Sequence, residues 1–193
     1  MMLRRLYDWT MGLARHRHSM AALFGVSFIE SSFFPIPPDV LMIPMVLAQR
    51  SKAFLIATVA TLGSVLGALL GYAIGALLMD SVGTAVLDFY GAHGDFADLA
   101  RRFNEYGIWV ILFAGITPFP YKVITIFAGA TGMSVPVFII ASIFARGLRF
   151  FIVAGLLWKF GPPIRDFIER RLGLVFTLFM IGLIGGFAAL RFL

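Results

Sequence analysis

Three prolines and a carboxylate interrupt an apolar stretch in the first quarter of this chain. The apolar runs cover residues 21–29 and 40–48, and between them stand Pro35, Pro37, Pro38 and Asp39. Proline lacks an N–H, and its ring clashes with the preceding helical turn, so no straight helix can pass through this point. The residue before each proline is also driven towards an extended conformation. The sequence therefore predicts two helices separated by a break.

Each arm of this broken segment is too short to cross a bilayer. Residues 20–49 give about 13 residues an arm, or roughly 20 Å of helix, whereas a span needs about 20 residues. Arginines at 15 and 17 precede the segment, and Arg50 and Lys52 follow it. Because positive residues mark cytoplasmic flanks, both ends are expected on the cytoplasmic side. We therefore predict a re-entrant hairpin over 20–49, which dips into the membrane and returns.

The composition places the chain in a membrane. Of its 193 residues, 60% are hydrophobic and 13% are charged, whereas soluble domains carry about 25% charged residues. The absence of cysteine excludes disulfides, iron–sulfur clusters and thiol catalysis. We interpret the formal net charge of +6 as cytoplasmic anchoring to anionic lipid and not as nucleic-acid binding. The prediction is one all-α integral membrane domain over 1–193.

Apolar spans and polar connections alternate along the rest of the chain. Residues 1–19 are predicted to form an amphipathic helix on the membrane surface, with leucines on one face and arginines on the other. The further predicted segments are a transmembrane helix at 53–79, an extracytoplasmic connector at 80–105 with short helices at 82–90 and 96–103, a second re-entrant hairpin at 106–133, a transmembrane helix at 136–158, a cytoplasmic surface helix at 159–172 and a transmembrane helix at 173–190.

The second hairpin repeats the first. A shift of 83 residues places Pro35 on Pro118, Pro37 on Pro120 and Asp39 on Lys122. Each hairpin is followed by one full span, and a single span lies between the two hairpins. The first hairpin should therefore enter from the cytoplasm and the second from outside. This arrangement is an inverted-topology repeat, which places a substrate site near the midplane where broken helices meet.

The span after the first hairpin carries a glycine at every fourth position. These are Gly63, Gly67, Gly71 and Gly75. Small residues at this spacing form a flat stripe along which two helix backbones can approach closely. We expect the stripe to pack against an arm of a hairpin, and a homodimer interface is the alternative.

Five ionisable residues lie inside apolar segments: Glu30, Asp39, Lys122, Arg146 and Arg149. A charge at the bilayer centre costs at least about 2.5–3.5 kcal/mol, so each should face a cavity or a partner. One interpretation makes them structural ion pairs, with Asp39 and Lys122 joining the two hairpins. The other makes them a polar cavity in which guanidinium groups bind a phosphate. A carboxylate there can bind and release a proton during transport, and we assign that role to Glu30, with Asp39 as a partner or gate.

A combination of motifs resembles a known family. It comprises Glu30, the Phe34-Pro35-x-Pro37-x-Asp39 break, the Gly67-x-x-x-Gly71-Tyr72-x-x-Gly75 run and Ala128-Gly129-x-x-Gly132-Met133. Over roughly residues 20–158 the chain resembles the DedA family, also described as the VTT or SNARE-associated Golgi type. The resemblance implies paired re-entrant hairpins and lipid transport: recycling of a polyprenyl-phosphate carrier, or flipping or scrambling of phospholipid, driven in bacteria by the proton-motive force.

The resemblance also implies that acids of the first hairpin and bases of the second are essential. Glu30 and Asp39 match the acidic positions. Family members commonly carry Arg-x-x-Pro-x-x-Arg in the second hairpin, where this chain has Thr117 at the first basic position and Lys122 one residue short of the second. The chain thus resembles a short, divergent subgroup. We assign Thr117, Lys122, Arg146 and Arg149 to substrate binding.

The leading functional hypothesis is a proton-coupled flippase or scramblase for a phospholipid or polyprenyl phosphate. The alternatives are a proton-coupled antiporter of small solutes or ions and a non-transporting assembly factor. The sequence has no spacing typical of a metal site, no activated serine with a histidine near a membrane segment and no phosphate-cradling glycine loop, so no enzyme, metal or cofactor is expected. The expected location is the inner (plasma) membrane, multi-pass, with the N-terminus in the cytoplasm.

Overall fold

The computed structural model describes residues 18–33, 37–91, 93–116 and 121–170. Across these residues the backbone is helical and contains no strand. Several predictions concern other residues: the amphipathic helix, the last transmembrane helix, Pro35, Thr117, Pro118 and Pro120 all lie, wholly or almost wholly, outside the described residues. The all-helical fold class is confirmed for the part that is described.

Seven α-helices follow one another along the described chain. They are α1 (Ser19–Ser32), α2 (Asp39–Ala48), α3 (Ala53–Leu78), α4 (Thr84–Tyr90), α5 (His93–Ile116), α6 (Tyr121–Ala130) and α7 (Val135–Arg170). A 3-10 turn at Arg50–Lys52 leads into α3, and a π-helical turn at Met79–Gly83 joins α3 to α4. We call α1 with α2 the first broken pair and α5 with α6 the second broken pair.

Two of the helical segments are long and apolar enough to cross a membrane. They are Arg50–Gly83, with 34 residues and a mean hydropathy of 2.2, and Val135–Gly161, with 27 residues and a mean hydropathy of 2.0. The helices α2 and α6 are apolar but have only 10 residues each. They would reach about 15 Å at the helical rise of 1.5 Å per residue, which is half of a hydrocarbon core of about 30 Å.

The contacts of the first broken pair fix its direction. Gly63 and Gly67 of α3 lie against Phe24 and Phe28 of α1, so α1 and α3 run parallel. At its two ends α2 meets α7 in the same order, through Asp39 with Arg149 and through Arg50 with Trp158. Because α7 runs antiparallel to α3, with Arg146 on Ser64 and Trp158 on Phe54, α2 runs back along α1. The first broken pair is therefore a helical hairpin.

The second broken pair runs the opposite way. Gly107 lies against Met133, and Gly115 lies against Ala145, so α5 runs parallel to α7. The helix α6 runs parallel to α3, because Thr125 meets Gly71 and Ile126 meets Gly75. The open ends of this pair are at one level, where Asn104 Nδ2 donates to the Thr131 carbonyl at 2.9 Å. The tips of the two pairs consequently point towards each other.

Two predicted helix boundaries are wrong. The helix predicted at 96–103 and the hairpin arm predicted from 106 form one helix, α5, which begins at His93. Gly91, whose left-handed backbone (φ 63°) ends α4, lies before it. No proline interrupts residues 93–116, so the polar first half and the apolar second half continue as one helix. The change from polar to apolar residues at Tyr106 therefore reflects a change in the surroundings of α5, while the helix itself continues.

The kink in α7 has an identifiable cause. The backbone of Phe160 is non-helical (φ −111°, ψ 16°), and the next turn contains Pro162 and Pro163. Since prolines have no N–H, the carbonyls of Trp158 and Lys159 lose their helical donors. Arg50 Nη2 donates to both carbonyls instead. The end of the first broken pair is thereby fixed to the kink of α7.

Candidate functional site

The tip of the first broken pair is held by side chains of the second. Pro35 and Pro37 cannot donate to the carbonyls of Ser31 and Phe33, which lie four residues earlier. Thr125 Oγ1 donates to the Ser31 carbonyl at 3.1 Å, and Lys122 Nζ donates to the Phe33 carbonyl at 3.4 Å. Backbone groups freed by proline inside a membrane require such partners. The two tips therefore meet through hydrogen bonds that the prolines make necessary.

Glu30 forms a buried ion pair with Arg146 beside this contact. Arg146 Nη2 donates to Glu30 Oε2 at 2.8 Å, and the two side chains are only 1% and 15% exposed for Arg146 and Glu30. Arg146 Nε donates to Ser64 Oγ at 2.6 Å, and Ser64 Oγ lies 2.7 Å from Ser31 Oγ. Ser31 Oγ in turn donates to Glu30 Oε2 at 3.0 Å. The four side chains form a closed ring of hydrogen bonds that joins α1, α3 and α7.

The guanidinium of Arg146 is held between two aromatic rings. Its Cζ lies 5.0 Å from the centre of the Tyr121 ring and 4.7 Å from that of Phe150, distances at which a cation is attracted to an aromatic ring. Tyr121 itself donates to Ser142 Oγ at 2.7 Å. Arg146 Nη1 is buried and has no hydrogen-bond partner within the described part of the chain. One guanidinium nitrogen is thus left to bind a further acceptor.

Asp39 pairs with a different cation from the one expected. Arg149 Nη2 donates to Asp39 Oδ2 at 2.6 Å, and the side chains are 18% and 15% exposed. The expected pair of Asp39 with Lys122 is therefore wrong. The reason is that α2 runs beside α7, whereas Lys122 begins α6 and reaches the Phe33 carbonyl. Arg146 and Arg149 share a face of α7, as their spacing of three predicts.

The two carboxylates occupy opposite helix-end fields. Asp39 lies in the first turn of α2, where the helix dipole stabilises a negative charge. Glu30 lies in the last turn of α1, where the dipole disfavours one. The compensation for Glu30 must therefore come from Arg146 and the Ser31 hydroxyl. The two acids, to which the sequence analysis gave different roles, thus also differ in their position relative to the helix ends.

The glycine stripe faces both broken pairs from inside the chain. A methyl group at Gly63 or Gly67 would meet the carbonyl of Phe24 or Phe28 in α1, and one at Gly75 would meet the carbonyl of Ile126 in α6. Gly71 lies against Thr125, at the point where the tips meet. All four glycines are buried. Because α1 and α6 cover the stripe, it is not available to a second copy.

An apolar groove lies between α5 and α7. It has a volume of about 480 Å³ and is lined by Ile108, Leu112, Val137, Ile140, Ala141, Phe144 and Leu148. Its outer residues are exposed, with Phe144 at 67% and Ile140 at 57%. Leu148, the last lining residue along α7, lies between Arg146 and Arg149 in the sequence. An apolar channel of this kind suits an acyl chain and offers nothing to a polar solute.

Sequence reasoning did not identify the hydroxyl side chains of the site. Ser31, Ser64, Thr125 and Ser142 are all fully buried. Each is a small polar residue in an apolar helix, and Ser64 follows directly on Gly63 of the stripe. That position gives the available signal, since a hydroxyl beside a close helix contact faces the neighbouring helix. Their partners could not be inferred without the helix directions.

Potential metal ligands are scattered across the described residues. No three histidine or carboxylate side chains among residues 18–33, 37–91, 93–116 and 121–170 lie close enough together to hold a metal ion. The site thus consists of two acids, two arginines and Lys122, surrounded by hydroxyls and aromatic rings. This chemistry suits charge exchange and the binding of an anion.

Comparison with known proteins identifies the family. The family model of the VTT domain matches residues 36–159. An uncharacterized protein of Haemophilus influenzae is 40% identical over 169 residues, which cover 85% of this chain and 87% of that protein. A protein of Histophilus somni, named as an uncharacterized HI0703 homolog, matches with the same identity and coverage. No solved structure matches the chain significantly. With its apolar helices and this match over most of its length, the chain is a membrane protein that belongs to the VTT-domain, or DedA, family.

Proposed function

We propose that this protein moves an anionic phosphate lipid, a phospholipid or a polyprenyl phosphate, across the membrane and that this movement is coupled to proton binding at Glu30. The observation that carries the proposal is the Glu30–Arg146 pair at the meeting point of the two tips. A buried acid–base pair at a junction of broken helices is typical of transport sites. The proposed role is transport, and no chemical conversion of the lipid is proposed.

The helix directions support two re-entrant hairpins in inverted orientation. The first broken pair opens towards the start of α3, and the second opens towards its end. Each tip lies near Arg146, which is close to the middle of the apolar Val135–Gly161 segment. The short helices α2 and α6 reach about half of a bilayer. We propose that the first pair enters from the cytoplasmic side of the inner membrane, where the flanking cations lie.

Two features favour a lipid over a small solute. The groove between α5 and α7 is almost wholly apolar, and its lining residue Leu148 lies between the two arginines in the sequence. Lys122 lies close to exposed apolar residues at the tips, among them Phe33 at 56% and Val123 at 38%. A head group at the arginines and an acyl chain along α7 would use both surfaces. A small-solute antiporter would use only the polar one.

The assembly-factor alternative treats the two ion pairs as permanent struts. Replacing a buried ion pair by apolar residues of similar volume is often neutral or stabilising in proteins, so ion pairs are a weak reason to expect a purely structural role. A transport role explains why the pairs are placed at the helix breaks and why one of them opposes a helix dipole.

Reconstitution into liposomes tests the proposal. The purified protein is assayed with fluorescent phospholipid and with polyprenyl phosphate, with and without a pH gradient. Lipid movement that the pH gradient drives in the wild type, and that no longer responds to this gradient in Glu30→Gln, is the expected result. Wild-type movement whose rate and extent are the same with and without the pH gradient would indicate a scramblase and remove the proton from the proposal. Movement of neither lipid by well-folded protein would favour a small solute or the assembly role.

A further inference from the structure

The Glu30 carboxylate occupies the nitrogen of Arg146 that a phosphate would need. Of the three guanidinium nitrogens, Nε is bound to Ser64, Nη2 is bound to Glu30, and Nη1 has no partner within the described residues. A guanidinium binds a phosphate best through two adjacent nitrogens. The pair formed by Nη1 and Nη2 becomes available only when Glu30 withdraws from Nη2.

We propose that Glu30 and the anionic phosphate of the substrate are alternative ligands of Arg146, so that a proton must bind Glu30 before the phosphate binds. This inference rests on the proposed function, and it adds the order of events. Protonation removes the charge that holds Arg146 Nη2. Nη1 and Nη2, on the freed edge of the guanidinium, then donate hydrogen bonds to two phosphate oxygens. Proton and anion are therefore taken up together. Release of the anion alone would leave the Arg146 charge unpaired, and release of the proton alone would leave Glu30 and the phosphate competing for Arg146.

The surrounding hydroxyls allow this exchange without leaving Arg146 unsupported. Ser31 Oγ donates to Glu30 Oε2, so Ser64 must donate to Ser31 and accept from Arg146 Nε. When Glu30 carries the proton, the ring can reverse, with Glu30 donating to Ser31. Arg146 keeps its bond to Ser64 and its two aromatic contacts in both states. The guanidinium therefore stays in place while its partner changes.

The other charged and titratable groups around the pair are fixed by their own partners. They are Arg149 and Asp39, which pair with each other, Tyr121, which donates to Ser142, and Lys122, which donates to the Phe33 carbonyl. Helix α3 contributes the neutral Ser64. Among these groups Glu30 is the acid that binds the nitrogen in question. Asp98, an exposed acid of α5 that pairs with Arg101, lies outside the site and serves as the control.

Equilibrium binding to the purified full-length protein tests the inference without any transport measurement. The probes are dihexanoyl phosphatidic acid and inorganic phosphate, each titrated at several pH values. Glu30→Gln is measured in parallel, because this variant lacks the carboxyl at position 30. The change of its Kd with pH therefore reports the ionisation of the probe itself. Where Glu30 is ionised, the ratio of the wild-type Kd to the Glu30→Gln Kd is expected to rise about tenfold per pH unit. Asp98→Asn should keep the wild-type pH dependence, and Arg146→Gln should lose binding.

A Kd ratio that stays constant across pH would overturn the inference. This ratio is obtained from two proteins only, the wild type and the isosteric variant Glu30→Gln. A monodisperse Glu30→Gln protein that binds neither probe would also overturn the inference. Binding of both probes with the expected ratio assigns the site to the phosphate group itself, and binding of phosphatidic acid alone assigns it to a lipid head group. If the ratio changes with pH but liposomes show no lipid movement, the proposed transport fails and the exchange stands. If lipid moves in liposomes but the Kd ratio stays constant with pH, the proposed transport stands and the exchange at Arg146 fails.

Discussion

Arg146 is the residue on which the site depends. It is 1% exposed, yet it is charged, and its charge is met by Glu30, two aromatic rings and a serine hydroxyl. An unpaired charge at this depth would cost several kcal/mol. These neighbours therefore stabilise the charge of Arg146 within an apolar helix and orient its guanidinium towards the Glu30 carboxylate.

Ser64→Ala tests whether the hydroxyl positions Arg146. Removing Oγ leaves Arg146 Nε buried without an acceptor, which we expect to lower the free energy of unfolding by about 1–2 kcal/mol. The loss should appear as a lower midpoint when aliquots are heated in detergent and the remaining monodisperse protein is measured by size exclusion.

Ser27→Ala is the control for this substitution. Ser27 is a fully buried serine of α1 whose Oγ has no partner within the described residues, so its removal should leave the midpoint unchanged or raise it. Equal losses from both variants would mean that Ser64 acts through packing alone.

At the residue scale, the sequence predicted which charges matter but not how they pair. Glu30, Asp39, Arg146 and Arg149 stand out because ionisable groups are rare in apolar helices. Their partners depend on helix directions, which a sequence does not contain. Lys122 shows the difference, since the repeat aligns it with Asp39 although the structure directs it to a backbone carbonyl.

Prolines organise the helices, and polar side chains from other helices supply the donors that the prolines lack. Thr125 and Lys122 do this for the first break, and Arg50 does it for the kink in α7. A helix break is tolerated at membrane depth where the freed carbonyls find partners. Each break thus becomes a fixed contact between elements that are distant in the sequence.

Arg50→Ala tests this rule away from the ion pairs. The carbonyls of Trp158 and Lys159 would lose their donor, and we expect a loss of about 1–2 kcal/mol in the free energy of unfolding. The neighbouring Lys52 is exposed in the same turn, so Lys52→Ala should have almost no effect. Heating in detergent measures both variants, and an unchanged Arg50→Ala would contradict the role given to Arg50.

Gly67→Ala tests the close approach of α1 to α3. The added methyl group would meet the carbonyl of Phe28, and relieving such an overlap typically costs about 1–3 kcal/mol. Gly155 of α7 has open space around the same position, so Gly155→Ala should be neutral or slightly stabilising. A thermal midpoint that is equal for the two variants would argue against the tight contact.

At the element scale, proline and glycine gave most of the prediction. The breaks and the stripe follow from proline and glycine, and the two long apolar segments follow from hydropathy and length. The boundary at Tyr106 failed because it was inferred from composition, which reports the surroundings of a helix and not its continuity. Helix α5 illustrates this limit, because its polar first half and its apolar second half form one continuous helix.

For the whole molecule, two helical hairpins of opposite direction are proposed to enter the membrane from its two sides and meet at half depth. The two acids and two arginines cancel in charge, and all four are largely buried. A site in this condition is closed to a charged ligand. Transport then requires the pairs to separate, and Glu30 is the acid that occupies Arg146, the cation proposed to bind the phosphate.

Single cysteines test this topology directly, because the chain has no cysteine of its own. Ser19→Cys and Ser51→Cys flank the first broken pair, and Asn104→Cys and Ser134→Cys flank the second. With a membrane-impermeant maleimide, each pair of positions should be labelled from one side, and the two pairs from opposite sides. Labelling of Ser19→Cys and Ser51→Cys from different sides would show that the first broken pair crosses the membrane.

Measuring the proton flux that accompanies lipid movement is the most direct test of the proposed coupling. Proteoliposomes that contain a pH-sensitive dye are given an outward or inward gradient of phosphatidic acid without an imposed pH gradient. The proposed coupling predicts a proton flux in the direction of lipid movement for the wild type, and none for Glu30→Gln, in which lipid still moves down its gradient. Lipid movement by the wild type with no proton flux would contradict it.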